Sequence, residues 1–219
     1  MFLLFMLYSF IVWLMEVTLV SVKAKKLTAR GFLIGPYCPI YGTGALLITL
    51  FLSKYENDIM VLFFMSCIFG AFLEYFTSYI MEKIFHTRWW DYSDHKYNIN
   101  GRISLTTTAG FGALGVILIK ILDPFFLNLI EKINPKVQLV LAIVIGIIFI
   151  TDVIVSFKII SNIKDVKVEG KDTTGEMNKK VKETLKNKSI FTRRLVNSFP
   201  NLRVKFKEDI KKIKENIQK

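Results

Sequence analysis

Charged positions are so sparse over the first 157 residues that uninterrupted apolar runs, rather than a helical or strand period, define the elements. Met1 to Val22 carries a charge only at Glu16, and at 1.5 Å per residue it is long enough to cross a hydrocarbon core of about 30 Å. The basic residues Lys23, Lys25, Lys26 and Arg30 follow this run, the reverse of a cleaved signal peptide, so it is expected to be the first membrane helix. Tyr41 to Ser53 is a shorter run, entered through GFLIGPYCPIYG at residues 31–42. Its Gly and Pro residues disfavour continuous helix, and the second crossing needs that broken stretch to reach full thickness. Ile59 to Ile80, interrupted by Glu74, is the third run; Leu105 to Leu122, closed by Asp123 and Pro124, is the fourth; Val137 to Phe157, carrying Asp152, is the fifth. The pattern predicts an all-α, polytopic membrane protein with about five transmembrane helices.

Composition sharpens this picture. Apolar residues make up 52% of the chain, with 19 Phe and a mean hydropathy of +0.40, too oily for a soluble domain of 219 residues. The formal charge of +12 is concentrated at one end: residues 158–219 hold 18 Lys/Arg against 8 Asp/Glu. We therefore divide the chain into a transmembrane domain, residues 1–157, and a basic tail, residues 158–219. The tail places Phe206, Ile210, Ile213 and Ile217 on one face of an amphipathic helix. It suits contact with anionic lipid better than nucleic-acid binding. Lys and Arg counted in alternate loops place Met1 outside and the tail in the cytoplasm of a cell with this protein in its plasma membrane; a re-entrant hairpin over residues 31–53 would invert everything after it.

Ionisable residues inside apolar runs are costly and mark polar sites. Glu16, Glu74 and Asp152 qualify, and in the five-pass layout all three fall in the same half of the membrane, where they could share one pocket. Glu74, Ser78 and Glu82 share one face of helix three. The loop RWWDYSDHKYNINGRISL, residues 88–105, supplies Arg88, Trp89, Asp91, Tyr92, Asn98 and Arg102. Its aromatics suit the headgroup zone. Arg102 facing the Glu pair on helix three could close the loop or bind a phosphate or carboxylate, and we expect Glu74 and Arg102 to belong to one polar site. Cys38 and Cys67 have no partner at metal-site spacing, so neither a disulfide framework nor a metal centre is expected. Gly110, Gly112 and Gly115 spell G-x-G-x-x-G without a preceding strand; close helix packing through Ala109, Gly112, Ala113 and Gly115 is the better account. No nucleotide-binding motif and no cofactor site is expected.

GFLIGPYCPIYGTGA, EYFTSYIMEKIF and the loop RWWDYSDHKYNINGRISL, in that order, make residues 1–157 resemble the CmpB family, small integral membrane proteins described as type IV ABC-transporter permeases. The resemblance implies a permease-like component of a transport system, dependent on a separate ATPase subunit. It draws attention to Gly35, Pro36, Tyr37, Pro39, Tyr41, Gly42 and Gly101 beside the residues above, with no catalytic role attached to any of them. The alternatives are a membrane enzyme acting on lipid or polyprenyl substrates, with Glu74 or Glu82 as acid or base and Arg88 or Arg102 on a phosphate, and a membrane scaffold or regulator.

Overall fold

In the computed structural model, residues 1–26, 28–85, 87–161, 183, 186–187, 189–198 and 203–204 are described. Helix α1 spans Phe2–Ala24 and ends on Lys25 in the left-handed region. Helix α2 spans Pro39–Leu52, with Pro39 at its first position, where a missing amide costs nothing. Helix α3 spans Ile59–Phe85. Helices α4, Leu105–Ile117, and α5, Asp123–Glu131, are joined through a π-helical turn at Leu118–Leu122. Helix α6 spans Pro135–Ser161 and α7 spans Ile190–Ser198. Two-residue strands β1 (Thr87–Arg88), β2 (Asn98–Ile99), β3 (Ile103–Ser104) and β4 (Arg203–Val204) complete the described elements.

Four of these helices, at Phe2–Val22, Ile59–Phe85, Leu105–Glu131 and Pro135–Ile160, are long and apolar enough to cross a membrane. With 14 residues, α2 is about 21 Å long and falls short by itself. The irregular segment 28–38 precedes it. It runs back along α1, so that the Cys38 amide reaches the Ser9 carbonyl at 3.0 Å, deep within that helix. α2 then continues in the same direction. Residues 28–52 thus run antiparallel to α1, half as irregular chain and half as helix, and the Gly- and Pro-rich run predicts that interruption.

Backbone without regular partners is tolerated at this depth only where protein satisfies it. Here α1 supplies Ser21 to the Thr28 amide at 3.0 Å, and the Trp13 indole donates to the Arg30 carbonyl at 3.0 Å. From α6, Asp152 accepts from the amides of Ile34 (3.0 Å) and Gly35 (2.7 Å), and Ser156 from that of Ile34 (3.2 Å). Leu33 and Tyr37 are buried with Met6 of α1, against Phe149 and Val153 of α6.

The α3–α4 seam follows a strict four-residue repeat. Leu62, Ser66, Gly70, Glu74, Ser78 and Glu82 are all buried on α3. A Cβ on Gly115 would strike Ser66, and one on Gly70 would strike Phe111 at 2.5 Å, while Thr107 donates to Glu74. Positions 66, 70 and 74 thus face 115, 111 and 107 in antiparallel register, and small residues let the two backbones approach. The expected packing through Gly112 and Gly115 is present; Gly110 faces open space.

The sequence placed the end of the fourth span at Asp123-Pro124, and the structure differs. The rod continues to Glu131. The π turn widens the helix just before Pro124, which accommodates its ring and absent amide. Asp123 is buried rather than interfacial, accepting from the hydroxyls of Tyr8 and, at 2.8 Å, Thr49.

Among the described tail residues, α7 lies against the segment between α1 and α2: Ser198 donates to the Ala29 carbonyl at 2.6 Å, Arg30 to the Ser198 carbonyl, and Arg194 to the Arg30 carbonyl at 3.4 Å. Strand β4 pairs antiparallel with β1, Val204 opposite Thr87. The proposed amphipathic helix through Phe206, Ile210, Ile213 and Ile217 lies outside the described residues.

Candidate functional site

The loop after α3 is built by short-range hydrogen bonds. Asn100 and Gly101 both have positive φ, 54° and 65°, the pairing that a tight Asn-Gly turn between β2 and β3 requires. Asn98 accepts from the Gly101 amide at 2.9 Å and donates to the His95 carbonyl at 2.7 Å. The Asp91 carboxylate accepts from the amide (3.1 Å) and hydroxyl (2.5 Å) of Ser93. Ser104 then caps α4 through a reciprocal box with Thr107. Trp89 is buried against Phe32 and Phe85. Asn98 and Trp89 therefore shape the loop and its anchorage.

That loop returns Arg102 to the buried face of α3, where it forms an ion pair with Glu82 at 2.9 Å and donates to Ser78 at 3.1 Å. Its guanidinium lies 5.6 Å from the ring centroids of Tyr75 and Tyr79. Arg88 also pairs with Glu82, at 3.2 Å, and with Asp91 at 3.4 Å. The Trp90 indole donates to the Arg102 carbonyl at 3.0 Å. Of the Glu pair expected to face Arg102, it is Glu82 that does so.

Glu74 has different partners: the Tyr92 hydroxyl at 2.9 Å and the Thr107 hydroxyl at 3.2 Å. Burial, and then the Glu74 carboxylate beside it, hold the Tyr92 phenol proton well above its ordinary range, so this hydroxyl remains a donor. On the opposite side, the Tyr41 hydroxyl donates to Glu16 at 2.8 Å, and Arg30 approaches Glu16 at 3.9 Å. Glu74 and Tyr41 both line an apolar cavity of about 90 Å³ between α1, α2, α3 and α4. Its walls include Ile11, Ala45, Ile48, Leu73, Leu114 and Leu118, and Tyr8 and Leu122 lie at its far end.

The sequence-derived candidates thus divide into separate groups. Glu16, Tyr41, Glu74 and Tyr92 gather at one end of the cavity. Glu82, Arg88, Asp91 and Arg102 form an ion-pair cluster farther along α3. Tyr37 belongs elsewhere, donating to Asp152 at 2.5 Å; Asp152 serves the irregular segment and does not share the pocket of Glu16 and Glu74. The triad of Tyr8, Thr49 and Asp123 at the far end was missed by the sequence reading. Its signal is a Tyr, a Thr and an Asp within otherwise apolar runs, which the apparent helix stop at Asp-Pro conceals.

Neither the curated proteins nor the solved structures include a match to this chain. Residues 3–157 do match a family model, described as "Putative ABC-transporter type IV". That match covers the irregular crossing, the α3–α4 seam and the closing loop together, and the chain belongs to this CmpB family of ABC-transporter type IV proteins.

Proposed function

We propose that the chain is the membrane-spanning, permease-like subunit of a transport system in the plasma membrane, with ATP hydrolysis supplied by a separate subunit. One observation carries this reading: Glu74 and the Glu16–Tyr41 pair sit at the end of an apolar cavity bordered by four helices, beside a segment that is only half helical. Discontinuous helices around a polar group at membrane depth are a recurring way to build a transport site, since the irregular backbone can change partners more readily than a continuous helix. Glu16, Tyr41, Glu74 and Tyr92 are the residues assigned to that site. Arg88, Asp91, Arg102 and Glu82 hold the loop that closes over it.

Met1 is assigned to the outside and the tail to the cytoplasm, because Lys and Arg concentrate in the loops and tail that this orientation places inside. The tail would then face anionic lipid with a net charge of +10 over residues 158–219. Isolation of the tagged chain from its native membrane in mild detergent, followed by mass spectrometry of the copurifying proteins, tests the transport assignment. A nucleotide-binding subunit in stoichiometric amount is the expected result. Recovery of the chain with no nucleotide-binding partner, from membranes where it is functional, would overturn it.

A further inference from the structure

Among the described residues, Glu74 is set apart from the other carboxylates of the loop end by the absence of a cation. The ion pairs among the described residues involve Glu16, Glu82 and Asp91. Glu74 is 6% exposed and is held by two hydroxyls alone. A carboxylate has about four acceptor positions, so two remain. The other polar group at this end of the cavity is also an acceptor, because the Tyr41 proton is committed to Glu16. No Lys or Arg is among the residues that line the cavity. An anionic head would meet only oxygen lone pairs there. An ammonium head would supply the missing charge and the missing protons together.

Beyond Glu74 the cavity is lined by hydrocarbon. From Phe111 to Leu122 along α4 and the π-helical turn it extends ~16 Å, about half the hydrocarbon thickness of a bilayer. Such a space stays dry and takes apolar matter. α1 and α4 are not packed against each other along their length; beyond α4, Tyr8 of α1 meets Asp123 and Phe126 of α5. A chain could therefore enter sideways from the membrane between them.

We infer that this cavity binds an amphiphile with an ammonium head, one hydrocarbon chain along Ile11, Ile48, Leu114 and Leu118 and the ammonium at Glu74 and Tyr41. As the cargo of a transporter this rests on the permease reading; the binding itself does not, and is measured without any ATPase. The ammonium can belong to a free long-chain amine or to an ethanolamine phospholipid of the bilayer.

The purified full chain in phosphatidylcholine nanodiscs is irradiated with three probes bearing the same diazirine-labelled chain: an alkylamine, a phosphatidylethanolamine and a fatty acid. Adducts are then mapped by mass spectrometry. Amine-headed probes are expected to label cavity residues of α1 and α4, and the fatty acid only the lipid-facing residues of α6, such as Ile147. Labelling by the alkylamine alone identifies a free amine, and labelling by both identifies the bilayer lipid as a source. Glu74→Gln should reduce cavity labelling about tenfold, the effect of losing one charge-assisted contact, with α6 labelling unchanged as the control for folding. Ala45→Phe, which fills the cavity, should abolish it. Equal cavity labelling by the fatty acid, or adducts confined to α6 for every probe, would overturn the assignment. Either result would leave the copurification test of the transport reading unaffected.

Discussion

Arg102 forms its ion pair with Glu82, at 2.9 Å, whereas Glu74, two turns earlier on the same face of α3, is bound by Tyr92 and Thr107. A loop that leaves α3 and returns to it is thereby fastened by one guanidinium, while the carboxylate nearest the cavity keeps unused acceptor capacity.

Removal of one partner of a buried ion pair costs about 3–5 kcal/mol, because the other charge is left uncompensated. Glu82→Gln and Arg102→Gln should each lower thermal stability in detergent strongly. The double mutant should lose less than the sum of the two by on the order of 1 kcal/mol or more. The same cycle between Glu74 and Arg102 should show the smaller coupling. Larger coupling in the Glu74 cycle would contradict the observed pairing.

The Asp123 triad makes a second set of expectations. Tyr8→Phe and Thr49→Val each remove a hydroxyl donor to a buried carboxylate, and each should cost about 1–3 kcal/mol. Asp123→Leu removes the charge and leaves the Tyr8 hydroxyl unpaired, while Thr49 keeps the Ala45 carbonyl at 2.9 Å. On that background Tyr8→Phe should cost markedly less than in the parent, measured by thermal unfolding in detergent. An unchanged cost would show that the Tyr8 hydroxyl does not stabilise the carboxylate.

Glycine substitutions on α4 should separate by position. A Cβ at Gly115 would strike Ser66 and one at Gly112 would meet Cys67 at 2.5 Å, whereas Gly110 faces nothing within 4 Å. Gly110→Ala should be neutral or stabilising by up to about 1 kcal/mol through helix propensity. Gly112→Ala and Gly115→Ala force the seam apart and should destabilise by about 1–3 kcal/mol. Monodispersity and melting temperature of the three variants provide the measurement.

Much of the helical framework was legible in the sequence because an apolar run of 20 residues has few alternatives to a membrane crossing. The irregular stretch before α2 was also legible, since Pro36, Pro39 and three glycines within 12 positions disfavour a regular helix. The continuation past Pro124 was not: a local helix stop was overridden by Asp123 bonding Tyr8, 115 positions away in the chain. Selection of Glu82 over Glu74 by Arg102 depends on the Asn100-Gly101 turn, whose dipeptide was a readable hairpin signal. The docking of α7 beneath Ala29 and Arg30 had no visible signal, because a basic amphipathic helix suits a lipid surface and a protein surface equally.

Orientation gives an independent test. In a background with Cys38→Ala and Cys67→Ala, a cysteine at position 56 should react with membrane-impermeant reagent from outside intact cells only if the loop after α2 is external. The Lys and Arg distribution predicts that loop outside and position 95 inside. Labelling of Glu56→Cys but not His95→Cys is the expected outcome. The opposite pattern would reverse every assignment of side.

The bonds from Ile34 and Gly35 to Asp152 span 118 and 117 positions of the chain, and this separation becomes an interval during synthesis. At about 5–20 residues per second, roughly 6 to 24 s elapse between polymerisation of the two amides and that of the carboxylate that receives them. During that interval the amides of Ile34 and Gly35 have no α6 to receive them. The nascent chain must keep residues 25–38 near the aqueous interface, or inside the insertion machinery, until its last long helix emerges. A ribosome halted before Asp152 would accordingly hold a chain whose first helix is complete and whose segment before α2 remains open to protease.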